Sequence, residues 1–218
     1  MRWAIIPFGQ IQIMKKLFYL LPFLATPLAL GSCQENEEEG EYDNWQARNQ
    51  HYVDSIARLA DNGTDGWTKM VGYTLVDSVE RKNPNNNHYV YIQKLENGTG
   101  TEYPLFNDSI RLHYLGRLIP TASYPQGYIF GKSYSTYTFN ETTDVPALMG
   151  VNGNIVGVAT AVMHMVEGDR WKLVVPYYVG YGTSINTTGS IPGYSALIFD
   201  VKLARIYKYK IDTNTTWH

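Results

Sequence analysis

Apolar residues recur at every second position in several stretches of this chain and at every third or fourth in two others. Alternation predicts strands, because successive side chains of an extended chain point to opposite faces. His88 to Leu95 alternates in this way and stops at Asn97-Gly98, a turn signal. In Asp108 to Leu118, the positions Ile110, Leu112, Tyr114 and Leu118 form one apolar face, while Arg111, His113 and Arg117 point the other way. Gly168 to Pro176 predicts another strand, and a final one places Leu197, Phe199, Val201 and Leu203 inward with Asp200 and Lys202 outward. Helical spacing appears first in Trp45, Asn49, Tyr52, Ile56 and Leu59, which share one stripe of a helix running to about Ala60. Asp43 or Asn44 is placed to cap its start, and Asn62-Gly63 to stop it. The stripe suits packing on the parent domain or, alternatively, a dimer contact. The second helical pattern covers Gly153 to Met165, with Ile155, Val158, Ala159, Val162 and Met165 on one face and Glu167-Gly168 beyond its end. Residues 66–80 read as a strand or an extended lead-in, and Asn83-Pro84-Asn85-Asn86-Asn87 as a turn. One central helix among about five antiparallel strands predicts an α+β half-wrapped sheet, preceded by an N-terminal helical extension.

The first 32 residues do not belong to that pattern. Leu17 to Leu30 is an apolar run of 14 residues broken by Pro22 and Pro27. A spanning helix needs roughly 20 residues, so this length fits the core of a signal peptide, with Lys15 and Lys16 as its positive region and Met14 as the start of translation. Leu30-Gly31-Ser32-Cys33 resembles a bacterial lipobox, which implies lipidation of Cys33 and a membrane partner reached through that lipid. Cys33 is the only cysteine, which excludes an internal disulfide and a thiolate metal site. Residues 34–43 carry six acids and form a self-repelling tether. They resemble the export signal of surface lipoproteins in Bacteroidetes, so the expected location is the outer membrane, on the cell surface or the periplasmic face. Removing residues 1–32 strips Arg2, Lys15 and Lys16 from a net charge of −2, and no basic face for nucleic acid remains. The five histidines lack the paired spacing of a zinc site, so no metal and no cofactor are expected. Eighteen tyrosines among 218 residues suit a strand-rich domain outside the cytoplasm.

Three segments carry a family likeness. Val-x-Val-His-Tyr-x-Gly-x-Leu is matched by Ile110-Arg111-Leu112-His113-Tyr114-Leu115-Gly116-Arg117-Leu118. Gly168-Asp169-Arg170-Trp171-Lys172-Leu173-Val174-Val175-Pro176 leads to Tyr181-Gly182, and Ile191-Pro192-Gly193-Tyr194-Ser195-Ala196-Leu197-Ile198-Phe199-Asp200-Val201 closes the pattern. The stretch from 88 to 207 resembles an FKBP-type peptidyl-prolyl cis-trans isomerase, with its Gly-Thr-Gly turn at Gly98-Thr99-Gly100. The resemblance implies an FKBP-like domain over 88–210, with 44–87 as extension and lead-in and 211–218 as a tail. It also implies a greasy pocket that binds proline-containing polypeptides. By motif position, Tyr114, Phe130 and Phe199 would clasp the proline ring and Tyr181 would donate its hydroxyl to the substrate carbonyl. Phe139, Val158 and Ile191 would complete the walls, and Ile155 would offer its backbone amide at the helix start.

Rotation of a prolyl bond breaks amide resonance, over a barrier of about 18–20 kcal/mol. No covalent step is needed. A dry pocket can favour the twisted imide, so aromatic and branched residues carry such a site rather than acids and bases. The expected activity is therefore a membrane-anchored isomerase that assists the folding of exported proteins. The alternative is a non-catalytic module that binds peptide or protein. Three departures from the family pattern bear on that choice. Gly131 in Phe130-Gly131-Lys132-Ser133 stands where the family has an acid, and Val158 where it usually has a tryptophan floor. The proline pair at the loop tip is reduced to Pro192-Gly193, and residues 119–129 form a longer insertion, able to lie over the mouth.

Overall fold

The computed structural model describes residues 40–75, 82–136, 139–140, 142–185 and 190–210. The leader, Cys33, most of the acidic tether, the end of the lead-in and the 211–218 tail lie outside the described residues. Seven strands form one antiparallel sheet: β1 (Trp67–Val71), β2 (Tyr89–Glu96), β3 (Ser109–Arg117), β4 (Ile129–Lys132), β5 (Ala147–Gly150), β6 (Arg170–Val175) and β7 (Leu197–Tyr207). Their order is β1-β2-β6-β7-β3-β4, and β5 also pairs with β3, along the same edge as β4 but at the start of the strand. Among the described residues the α-helices are α1 (Trp45–Asp61) and the short α2 (Val156–Val162).

The alternation read from sequence holds along β3 and β7. Ile110 and Leu112 are buried on one face of β3, and Leu197, Phe199, Val201 and Leu203 are buried along β7. The other face of β3 is less polar than expected, because His113 and Leu115 are buried too. The lead-in is also more integrated than its sequence suggests: β1 pairs with β2 from Trp67↔Gln93 to Val71↔Tyr89 and so belongs to the same sheet.

The central helix is shorter than its apolar pattern. Residues 151–153 form a single 3-10 turn and only Val156–Val162 are α-helical. The amphipathic expectation over 153–165 therefore gives way to a helix with Gly157 through Val162 all buried. It lies close against β6, since a Cβ on Gly157 would stand 2.6 Å from Val175 Cγ1.

α1 ends at Asp61, and Gly63 takes a left-handed φ of 63° just beyond. Its start differs from the expected cap. Asn44 has a φ of 53° and makes no side-chain cap, while the Asp43 carboxylate accepts the Gly40 N–H at 2.7 Å. The buried face comprises Trp45, Asn49, Val53, Ile56 and Ala57, with Tyr52 and Leu59 at its border. This face packs on the chain's own domain, so the dimer contact loses the stripe on which it would rest.

Asn49 shows why a polar residue stands in that stripe. Its Nδ2 donates to Trp45 O at 2.7 Å, and its Oδ1 accepts from Ala196 N at 2.8 Å. Trp45 Nε1 donates to Ser195 Oγ at 2.9 Å, and Ser195 Oγ donates to Pro192 O at 2.6 Å. The helix thereby pins the segment that enters β7. The 119–129 insertion also turns toward the helical extension, where Arg48 Nη2 donates to Pro120 O at 3.3 Å and Ser123 Oγ to the Glu41 carboxylate. Replacing Asn49 by alanine strands the buried Ala196 N–H. The expected cost is about 1–3 kcal/mol, read as a lowered denaturation midpoint; an unchanged midpoint would show that the contact contributes nothing.

Candidate functional site

The site forms where β3, β4 and β7 run side by side. Gly116 is opposite Gly131 on one flank and Phe199 on the other, and Tyr114 is opposite Val201. A register shift between Gly116 and Arg117 brings Phe130 onto the same side as Phe199. The two rings meet edge to face, with centroids 5.5 Å apart and planes at 84°. This arrangement needs a strand without a side chain beneath it. A Cβ on Gly116 would stand 2.6 Å from Phe130 Cε2 and Cζ and 2.9 Å from Phe199 Cε1. Ser133 fixes the neighbouring backbone, donating through its own N–H to Tyr114 O at 2.9 Å and accepting the Tyr114 N–H on Oγ at 2.9 Å.

The ring pair walls a cavity of about 290 Å³, with Tyr114, Ile155 and Val158 on other sides and Tyr181 at its rim. Phe199 is 7% exposed and Tyr181 is 48% exposed. Tyr181 is presented by a tight turn in which Gly182 N donates to Tyr177 O at 2.8 Å, and Gly182 has a φ of 83°. Partial burial, and then the nearby Tyr114 phenol, push the Tyr181 hydroxyl above the usual tyrosine range, so it stays a protonated donor at neutral pH. Ile155 precedes the first turn of α2, where N–H groups have no intrahelical acceptor. Among the described residues, no Asp, Glu, Lys, Arg or His lines the cavity. Such a chamber can desolvate and orient a neutral ring, but it holds no general acid or base.

Six of the eight residues expected to form the pocket therefore surround one space: Tyr114, Phe130, Ile155, Val158, Tyr181 and Phe199. Phe139 and Ile191 do not. The Phe139 ring lies 4.5 Å from His113 and 5.3 Å from Tyr134, on the opposite face of β3 from Tyr114. The loop carrying it is turned there by the Asp144 carboxylate, which accepts from Ser135 N at 2.7 Å and Asn140 N at 2.8 Å. Ile191 is 2% exposed and belongs to the core. The Pro192–Ala196 segment that follows it is held by the Trp45 and Asn49 contacts. The 119–129 insertion does not line the cavity; its residues 123–129, with Arg117, line a separate surface groove.

Leu112, Gly131, Met149, Gly153, Asn154 and Val201 line the cavity without having been expected there. The inward parity of Leu112 and Val201 was the available signal. Met149 and Asn154 had none, since their placement depends on how β5 joins β3 through Ile110↔Met149.

Residues 100–204 match the family model for FKBP-type peptidyl-prolyl cis-trans isomerase. The chain is 35% identical over 114 residues to the macrophage infectivity potentiator of Trypanosoma cruzi, covering 52% of this chain and 51% of that protein. It is 34% identical over 103 residues to an FKBP-type 22 kDa peptidyl-prolyl cis-trans isomerase of Escherichia coli, covering 47% of this chain and 43% of the relative. The chain thus spans about half the length of the curated relatives it matches. Among solved structures, a peptidyl-prolyl cis-trans isomerase from Pseudomonas syringae superposes with a TM-score of 0.52 at 20% identity, covering 78% of this chain and 98% of that one. At that identity the superposition speaks for the fold.

Gly116→Ala is expected to force the ring pair apart. Overpacking of this kind costs about 1–3 kcal/mol, so the thermal midpoint should fall and the aromatic NMR signals of Phe130 and Phe199 should shift. A variant with wild-type signals and midpoint would show that the rings do not depend on the missing Cβ.

Proposed function

We propose that this chain, which carries an FKBP-type peptidyl-prolyl cis-trans isomerase domain over residues 100–204, catalyses rotation about Xaa-Pro bonds in polypeptides that enter the cavity. The observation that carries this reading is a neutral chamber of about 290 Å³ closed by the Phe130–Phe199 pair, with a hydroxyl donor at its rim. The planar imide is strongly polar, and twisting it reduces that polarity. A water-poor aromatic wall therefore disfavours the planar form more than the twisted one. Phe130 and Phe199 hold the prolyl ring, Val158 supports it from below, and Tyr181 donates to the carbonyl of the substrate. Nothing in this scheme requires a proton to leave the protein.

The location belongs to the same proposal. The apolar run of residues 17–30 and the sole cysteine at 33 support export and lipid attachment, and the acidic residues that follow support a tether between membrane and domain. No helix among the described residues is long and apolar enough to cross a membrane. The substrates would then be exported polypeptides that fold at the outer membrane, on the cell surface or the periplasmic face. Cys33→Ala expressed in a bacterial host should move the protein from the detergent phase to the aqueous phase on Triton X-114 partition. Persistence in the detergent phase would rule out attachment through that cysteine.

Catalysis is tested by NMR exchange on a proline tetrapeptide, using residues 34–218 and the Phe199→Ala variant. Wild type should broaden or exchange the cis and trans signals, and the variant should lose at least about 90% of the added rate, since removing a buried aromatic wall leaves the ring unsupported. A folded wild type without any acceleration would leave the non-catalytic binding reading, which the absence of an acid beside Tyr114 favours.

A further inference from the structure

The cavity carries a feature that rotation of a neutral ring does not use. It is lined by two phenols, Tyr114 and Tyr181, and that of Tyr114 is close enough to help raise the Tyr181 hydroxyl above the usual tyrosine range. Neither is bonded to a protein acceptor among the described residues, and no carboxylate lines the space around them. Only one is needed for the substrate carbonyl. Beside the other the wall is notched: a Cβ built on Gly131 would lie 3.4 Å from Tyr114 Cε2 and 3.8 Å from the Tyr114 hydroxyl oxygen. The vector from Gly131 thus runs along the phenol edge into open cavity, at the distance of ordinary contact. Tyr114 is half-buried, so its hydroxyl is an unbonded donor available to a ligand acceptor at the cavity wall, and a hydrogen bond to a charged acceptor is stronger than one to a neutral acceptor.

We propose that the Gly131 notch and the Tyr114 hydroxyl form a carboxylate subsite, so that the pocket prefers prolyl bonds flanked by a carboxylate. The inference rests on the isomerase reading of the same pocket. The carboxylate would accept the Tyr114 hydroxyl hydrogen while Tyr181 takes the prolyl carbonyl. The absence of any acid in the lining removes the repulsion that would otherwise exclude it. The half-open rim leaves its second oxygen in contact with water, which limits the desolvation penalty. Two sources supply the same chemistry, an acidic side chain next to the proline and the terminal carboxylate of a chain ending in proline.

The test is a set of matched peptides assayed by NMR exchange with residues 34–218. Glu-Pro is compared with Gln-Pro and Leu-Pro, Pro-Glu with Pro-Gln, and a peptide ending in proline as free acid with its amide. At neutral pH the carboxylate member of at least one pair should be favoured about ten-fold in kcat/KM, the lower end of what a bond to a charged group contributes. The arm that shows the preference identifies the source. For a side-chain carboxylate, the preference should vanish as pH falls below about 4, where glutamate becomes protonated. It should drop toward parity in Tyr114→Phe, which removes one oxygen and leaves the ring, and reverse in Gly131→Asp, which puts a competing carboxylate beside the phenol.

Parity in all three pairs, with Leu-Pro turned over normally, overturns the subsite and leaves the isomerase reading intact. If no peptide is turned over, the isomerase reading falls, and the same pairs are compared by Kd from NMR titration. A ten-fold tighter carboxylate peptide would then uphold the subsite in a binding module, and equal Kd values would overturn it.

Discussion

The close approach of the Phe130 and Phe199 rings over Gly116 is the constraint on which the rest of the site depends. A strand at the middle of a sheet ordinarily carries side chains on both faces. Here β3 has none at the position where two aromatic residues from its neighbours converge, and a single methyl group would overlap both. The rings can therefore meet edge to face directly above the backbone. β4 and β7 each send one ring across that gap to wall the cavity, and Val158 on the short helix lines it as well.

Around this pair the sheet, the short helix and the loop at Tyr181 supply the remaining walls, and among the described residues none of them brings a charged side chain. Charges are concentrated elsewhere, for example where Arg170 meets Asp200 at 2.7 Å and Glu96 at 3.0 Å. Neither the half-buried Arg170–Asp200 pair nor the more exposed Glu96 lines the cavity. Such a chamber discriminates by polarity and shape. It is suited to a reaction in which no bond forms or breaks and the polarity of one imide changes.

The helical extension shapes the site from outside. α1 fixes Ala196 through Asn49 and Ser195 through Trp45, immediately before the strand that carries Phe199. The sheet continues into the lead-in, where β1 is the outermost strand beyond β2. The unit that holds the pocket in shape is accordingly larger than the segment that matches the family model.

Period-two alternation in β3 and β7 was sufficient to orient Leu112, Tyr114, Phe199 and Val201 toward one side, because strand geometry leaves no other choice once pairing is set. The likeness to a family placed Phe130, Ile155, Val158 and Tyr181 around the same space. Local pattern was equally enough for the existence of α1, whose apolar stripe and Asn62-Gly63 stop are both properties of a short window. Three things required the tertiary structure. Phe139 went to the far side of the sheet because its loop is folded back by Asp144 and packs on His113, a residue whose outward direction was legible but whose cover was not. Ile191 sank into the core, beside a segment bonded to residues some 150 positions earlier in the chain. The notch at Gly131 has meaning only beside the Tyr114 phenol, from the strand opposite. Sequence determines what is set by backbone period and local composition. Contacts between distant segments decide which of several apolar side chains form a wall and which become core.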